Sequence, residues 1–206
     1  LMENSSHFQI NDYLKPGRHA HLVGIGGVSM RPLGLVLRSM GMQISGSDMN
    51  ASVSTDELMA KGIAVSIGHR AENIEGADCV IRTAAANNDN PEIAAARAAG
   101  IPIFERAQAW GYIMKAYRHA ICVSGTHGKT TTTSMLTQIF MEAGKDPTVM
   151  IGGSLPLLGA GHRVGQGDTI ILESCEYCNS FLNFFPTTAV VLDIDADHLD
   201  FFKDLE

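Results

Sequence analysis

Apolar positions along the chain fall into short runs, each closed by a polar or glycine-rich turn and followed by apolar residues three and four apart. The runs read as strands and the spaced positions as one face of a helix. Residues 19–23 form the first run. Leu33, Leu35, Val36, Leu37 and Met40 form the first helical face, with Pro32 tolerated in the opening turn. The alternation continues with a strand at 42–46, a helix at 55–61, strands at 63–67 and 78–82, a loop at 83–90 and a proline-initiated helix at 91–99. A short strand at 101–104 and a helix at 106–117 follow. Then the pattern restarts with a strand at 119–123 and a helix carrying Met135, Leu136, Ile139 and Phe140 on one face. A strand at 148–151 leads into a glycine-rich excursion, expected to be flexible, that lasts to Gly167. Strands at 169–173 and 189–192 complete the series, with no internal repeat or low-complexity segment.

Strands that alternate with helices predict an α/β fold whose sheets are doubly wound and mostly parallel. The restart near 116–119 divides a Rossmann-like domain, residues 1–117, from the start of a P-loop α/β domain, residues 118–206. The chain ends at Glu206 without a closing helix, so the second domain reads as truncated.

The turn after the first strand of each half carries the chemistry. In the second half it is Gly125-Thr126-His127-Gly128-Lys129-Thr130, followed by Thr131, Thr132 and Thr133. Strand, glycine turn, Gly-Lys-Thr and helix make a phosphate-binding loop, in which backbone N–H groups and the helix N-terminus face an anion. Lys129 adds a full charge for β- and γ-phosphates, and the Thr130 hydroxyl is a Mg²⁺ ligand of the usual kind. The strict template places a glycine where Val123 stands, which leaves a shorter cradle. In the first half the turn is Gly24-Ile25-Gly26-Gly27, with Asp48 24 residues after Gly24. It resembles a dinucleotide fingerprint with Ser29 in place of the third glycine, and an acid at Asp48 suits a ribose hydroxyl. A nicotinamide dinucleotide and another nucleotide diphosphate both remain open on these residues.

Two further sets of acids stand at strand ends. Glu173 closes the apolar strand 169–173, where such folds place a Mg²⁺ ligand or a water-orienting group. Asp193, Asp195, Asp197 and Asp200 surround His198 after the last strand, a set suited to a hard cation beside phosphates.

Composition narrows the rest. At 206 residues and 45% hydrophobic content the chain is long enough for one large or two small domains. A formal net charge of −7 argues against a broad nucleic-acid surface. No apolar run approaches the ~20 residues of a membrane span, and no secretory signal pattern opens the chain. Cys79 and Cys122 sit in apolar runs as core thiols, while Cys175 and Cys178 lack the second pair that a zinc site needs. A reducing, cytoplasmic setting fits.

Gly125-Thr126-His127-Gly128-Lys129-Thr130-Thr131-Thr132 resembles the ATP loop of the Mur ligases of peptidoglycan synthesis, which also lack the first Walker glycine. Gly24-Ile25-Gly26-Gly27, Ser45-Gly46-Ser47-Asp48, Gly68-His69, Asn90-Pro91-Glu92, Glu173-Ser174-Cys175-Glu176-Tyr177 and Ala196-Asp197-His198-Leu199-Asp200 resemble further stretches of that family, in the right order. The resemblance covers the family's N-terminal domain and the first part of its central ATPase domain. It implies an ATP-dependent ligase that joins L-alanine to the carboxylate of UDP-N-acetylmuramate through an acyl phosphate. The alternatives are a ligase that recycles a tripeptide onto the same sugar and a non-catalytic nucleotide-binding paralogue.

In that reading ATP is held by residues 125–131, with Lys129, Glu173 and His198 catalytic. Thr130, Glu173 and His198 would hold Mg²⁺, and Gly24, Gly26, Gly27, Asp48 and His69 the UDP-sugar. UDP then replaces NAD at the first turn, and a dehydrogenase reading would leave Lys129, Glu173 and His198 without a role. The chain departs from the family pattern at Asp193, usually Asn, and Asp195, often Glu. It departs again at Thr83-Ala84-Ala85, often Ser-Ser-Ala, and at Ser29-Met30-Arg31, which stands for a Gly-Met-Ser-like stretch.

Overall fold

The computed structural model of this chain describes residues 8–174 and 177–195. Its α/β elements divide into two compact units between Ala109 and Trp110. Strands β1 (His19–Val23), β2 (Gln43–Asp48), β3 (Ala64–Ile67), β4 (Cys79–Arg82) and β5 (Ile103–Glu105) make the first sheet. Helices α1 (Met30–Ser39), α2 (Val53–Ala60) and α3 (Pro91–Ala98) lie between them in sequence, and α4 (Arg106–Met114) follows β5. The strand order is β3-β2-β1-β4-β5 and every pairing is parallel, a Rossmann-like sheet. The winding reverses between β1 and β4, and the crevice at such a switch point is where open α/β sheets bind ligands.

Continuous apolar runs become central strands because both of their faces are covered. β1 is buried at Ala20, His21, Leu22 and Val23, and α1 presents Met30, Leu33, Val36 and Leu37 to the interior. Val23, Ile74, Val80, Ile93 and Ala96 pack as one cluster. Asn90 caps α3, its Oδ1 accepting from the Glu92 N–H at 2.9 Å, with Pro91 in the first turn.

The second sheet contains β6 (His119–Ser124), β7 (Thr148–Leu155), β8 (Ala160–Arg163), β9 (Thr169–Glu173) and β10 (Thr188–Val191), with α5 (Lys129–Glu142) after β6. Its order is β10-β6-β9-β7-β8, parallel except for the antiparallel β7–β8 pair. The excursion expected to be flexible is therefore a hairpin: β7 runs on through Gly152 and Gly153, and β8 returns beside it. Gly161, Gly165 and Gly167 lie so close to the carbonyls of Gly153, Asp146 and Lys145 that no Cβ would fit.

The buried face of α5 also differs from the expected one. Met135 and Ile139 are 60% and 59% exposed, and Thr133 and Thr137 are buried, with Leu136 and Phe140 packed on the Ile121, Val149, Ile151 and Ile171 cluster. The Thr137 hydroxyl donates to the Thr133 carbonyl at 2.7 Å, which lets that threonine enter the core without an unmet donor. No helix among the described residues is long and apolar enough to cross a membrane.

Candidate functional site

Each unit carries a glycine turn at the carboxyl end of a central strand. In the first unit the chain leaves β1 at Gly24, whose φ of +80° is open to glycine and strained for other residues. A Cβ there would also stand 2.7 Å from Thr83 Cγ2, just beyond β4, so the turn closes against the switch point. The N–H groups of Gly24 and Ile25 both donate to the Ser47 carbonyl, at 2.8 and 2.9 Å. Gly26 donates to Asp48 Oδ2 at 2.9 Å, and a Cβ on Gly26 would meet that oxygen at 2.8 Å. Gly27 donates back to the Gly24 carbonyl. Gly68 donates to the Asp48 carbonyl at 2.8 Å, which sets His69 beside the same strand end. The structure thus gathers Gly24, Gly26, Gly27, Asp48 and His69 at one edge of the sheet.

Under that edge lies a fully buried carboxylate that the sequence did not single out for a role. Glu92 Oε2 accepts from Ser47 Oγ at 2.6 Å and stands 3.1 Å from His69 Nδ1. Its Oε1 accepts from Asn73 Nδ2 at 2.6 Å and lies 3.6 Å from His21 Nε2, an ion-pair separation too long for a hydrogen bond. The far nitrogen of His21 reaches Ser45 Oγ at 2.9 Å, and His19 Nε2 meets the same hydroxyl at 2.8 Å. Burial pushes the Glu92 carboxyl up, but the contacts with His21, Ser47 and Asn73 outweigh it and hold the group down at about 2. Its place in the first turn of α3 favours the charge further. An acid within a helical face that also carries Ile93 and Ala96 is the sequence signal that could have found it.

In the second unit β6 ends at Ser124 and the loop turns through Gly125 and Gly128, with φ of +139° and +80°. Lys129 opens α5 and its Nζ folds back to donate to the carbonyls of Gly125 and Thr126. Thr130 and Thr131 are exposed in the first helical turn. Residues 192–195 run across the loop. Leu192 N–H donates to the Ser124 carbonyl at 3.0 Å, and Asp195 N–H to Thr126 Oγ1 at 2.9 Å. Asp193 Oδ1 accepts from the His127 N–H at 2.9 Å, so a carboxylate sits on one of the amides that an incoming anion would use.

Glu173 closes β9 in register with Val123, the penultimate residue of β6. A Cβ on Gly152 would come within 2.5 Å of Glu173 Oε2, and one on Gly153 within 3.2 Å of Thr130 Cγ2. The bare stretch of β7 therefore leaves room for both side chains. Glu173 Oε1 is buried and has no hydrogen-bond partner among the described residues. An oxygen of this kind is costly unless a cation or donor meets it. Together with the Thr130 hydroxyl it is a hard-oxygen donor set that fits Mg²⁺. Among the described residues no cluster of three or more metal-ligating side chains is present.

His198, Asp197 and Asp200 lie outside the described residues, as do Cys175 and the Cys178 side chain. Cys79 and Cys122 are free and buried, and burial pushes both thiols up to about 12, as expected of inert core residues.

Two glycine turns, each at the carboxyl end of a central strand of a mostly parallel sheet, define a class that comparison with known proteins makes specific. Residues 19–118 match the Mur ligase family, catalytic domain, and residues 123–206 match the Mur ligase middle domain. The chain belongs to the Mur ligase family. It is 48% identical over 196 residues to the UDP-N-acetylmuramate–L-alanine ligase of Clostridium botulinum (strain Hall), covering 95% of this chain and 43% of that one. The crystal structure of UDP-N-acetylmuramate-alanine ligase MurC from Thermotoga maritima superimposes with a TM-score of 0.81 at 33% identity, over 88% of this chain and 43% of that one. The UDP-N-acetylmuramate:L-alanyl-gamma-D-glutamyl-meso-diaminopimelate ligase from Neisseria meningitides gives 0.81 at 27% identity, over 91% and 64%. The chain thus spans less than half the length of the curated relative it matches.

Proposed function

We propose that this chain is the N-terminal and middle-domain part of a cytoplasmic, ATP-dependent ligase that joins L-alanine to the lactyl carboxylate of UDP-N-acetylmuramic acid in peptidoglycan synthesis. The observation that carries the reading is the buried Glu173 Oε1, without a hydrogen-bond partner among the described residues, at the end of the strand beside the one that leads into the Gly125–Lys129 turn. The 48% identity to an enzyme of that name supports the choice of substrates.

A carboxylate is a poor electrophile, and bringing it to ATP sets anion against anion. The amides of the 125–130 loop and the Lys129 ammonium receive the ATP phosphates and offset that repulsion. Mg²⁺, held by Thr130 and Glu173 and in the same reading by His198, supplies further neutralisation of phosphate and carboxylate oxygens when bound. The γ-phosphoryl group passes to a carboxylate oxygen as its bond to ADP breaks, leaving an acyl phosphate. The alanine amine attacks the carbonyl, a C–N bond forms, and phosphate leaves as the amine gives up a proton. Gly24, Gly26 and Gly27 receive the UDP diphosphate, and Asp48 and His69 its nucleoside end.

Calorimetric titration with UDP-N-acetylmuramate, with NADH as control, tests the first half of this reading. Binding of the UDP-sugar alone is the expected outcome; binding of NADH alone would replace a ligase domain by a dehydrogenase-type one. The tripeptide-recycling alternative has the Neisseria structure, of equal TM-score, in its favour. Product formation with L-alanine against the tripeptide, in a protein carrying the remaining domain, separates the two.

A further inference from the structure

His69 is gripped from behind, and the grip decides which of its nitrogens carries the proton. An ionised carboxylate only accepts hydrogen bonds. Glu92 Oε2 already takes the Ser47 hydroxyl proton at 2.6 Å, so Ser47 has no second proton to give to His69. Yet His69 Nδ1 stands 3.0 Å from Ser47 Oγ and 3.1 Å from Glu92 Oε2. Two acceptors around one ring nitrogen are satisfied only when that nitrogen is the donor. Glu92 is itself immobilised. Asn73 holds its other oxygen at 2.6 Å and also donates to the Gly68 carbonyl at 3.0 Å, so the loop that carries His69 is tied to the same carboxylate. Ser47 completes the frame, since its carbonyl anchors Gly24 and Ile25 of the glycine turn.

We propose that Glu92 is a positioning residue for the nucleotide site: it fixes the neutral His69 ring as the Nδ1–H tautomer and so leaves Nε2 as an acceptor for an N–H or O–H donor of a uridine nucleotide. The inference rests on the reading of this turn as a UDP site. Uracil offers N3–H and ribose its hydroxyls, two sources of the same donor chemistry. Cytosine presents a lone pair at N3, which the Nε2 lone pair repels. Glu92 touches no ligand, and its effect passes through the ring.

Two measurements test it. Long-range ¹H–¹⁵N spectra of the imidazole rings, with the His69 signals assigned by their loss in His69→Asn, give the tautomer directly. The Nδ1–H form is expected, and an Nε2–H form overturns the proposal without any ligand being present. Titrations with UDP, CDP and 2′-deoxy-UDP then locate the donor. At least about a tenfold preference for UDP over CDP assigns the base, and the same preference over 2′-deoxy-UDP assigns the ribose.

In Glu92→Gln the tautomer should become mixed and the preference should collapse, measured well below the variant's melting temperature. Retention of both in a folded Glu92→Gln protein would mean that Glu92 only stabilises the fold. If that variant does not fold, the wild-type spectrum and ligand comparison still decide. Failure of the wild-type chain to bind UDP would overturn the nucleotide reading and the ligand half of this proposal, while the spectrum continues to judge the ring.

Discussion

The two glycine turns look alike in sequence and differ in how charge is kept. At the Gly24–Gly27 turn the carboxylates are hydrogen-bonded inside the protein. Asp48 sits on the Gly26 amide, and Glu92 is fully buried among Ser47, Asn73, His21 and His69. At the Gly125–Lys129 loop one carboxylate oxygen is left open. Lys129 Nζ donates to the backbone carbonyls of Gly125 and Thr126, and one oxygen of Glu173 is met by nothing among the described residues. Under the proposed ligase reading, locked groups suit a site that recognises a shape, and an open carboxylate suits a site that transfers a phosphoryl group.

The sharpest way to break this contrast is Glu92→Ala. It removes the carboxylate that the buried Ser47 hydroxyl and the half-buried Asn73 amide both meet, and about 3–5 kcal/mol of stability should be lost from the first unit in urea titrations. Lys129→Ala should leave the melting temperature nearly unchanged and weaken Mg²⁺–ATP binding about a hundredfold, about 2.7 kcal/mol by calorimetry. A stability loss at Lys129 as large as that at Glu92 would erase the distinction.

Acid sharpens it next. The Glu92 carboxyl lies at about 2 in the folded protein against an ordinary 4.5, so its contribution is complete above pH 4.5 and fades as the pH falls towards 2. Circular-dichroism melts across that range should show the wild type losing on the order of 1–3 kcal/mol that Glu92→Gln does not lose. The smallest effect belongs to Asp193→Asn. Asparagine keeps an oxygen for the His127 N–H but removes a negative charge from the anion loop, so ATP should bind about three- to fivefold more tightly. Unchanged affinity would mean that Asp193 leaves the loop when phosphate enters.

The sequence was most legible where one force acts alone. Residues 19–23 and 169–173 are strands as expected, because unbroken apolar runs at the middle of a parallel sheet have no other favourable place. Both glycine turns were readable from glycine spacing. The β7–β8 hairpin was not, since Gly152, Gly153, Gly159 and Gly161 carry no side chains to alternate between faces. On α5 hydropathy pointed to Met135 and Ile139, while backbone hydrogen bonding let Thr137 occupy the core. Glu92 escaped because a charged residue on a helix usually means solvent. The partners that pull it inside (His21, Ser47, His69 and Asn73) lie far from it in sequence and converge only in the folded sheet.

The glycines in and just after the hairpin reach beyond energetics to heredity. At Gly161, Gly165 and Gly167 a neighbouring carbonyl occupies the space that a β-carbon would need. Every single-base missense change in a glycine codon adds that carbon. These three codons therefore have no mild missense neighbour, and in a deep mutational library they should be as empty as the codon for Lys129, though none of them lies on the Gly125–Lys129 loop.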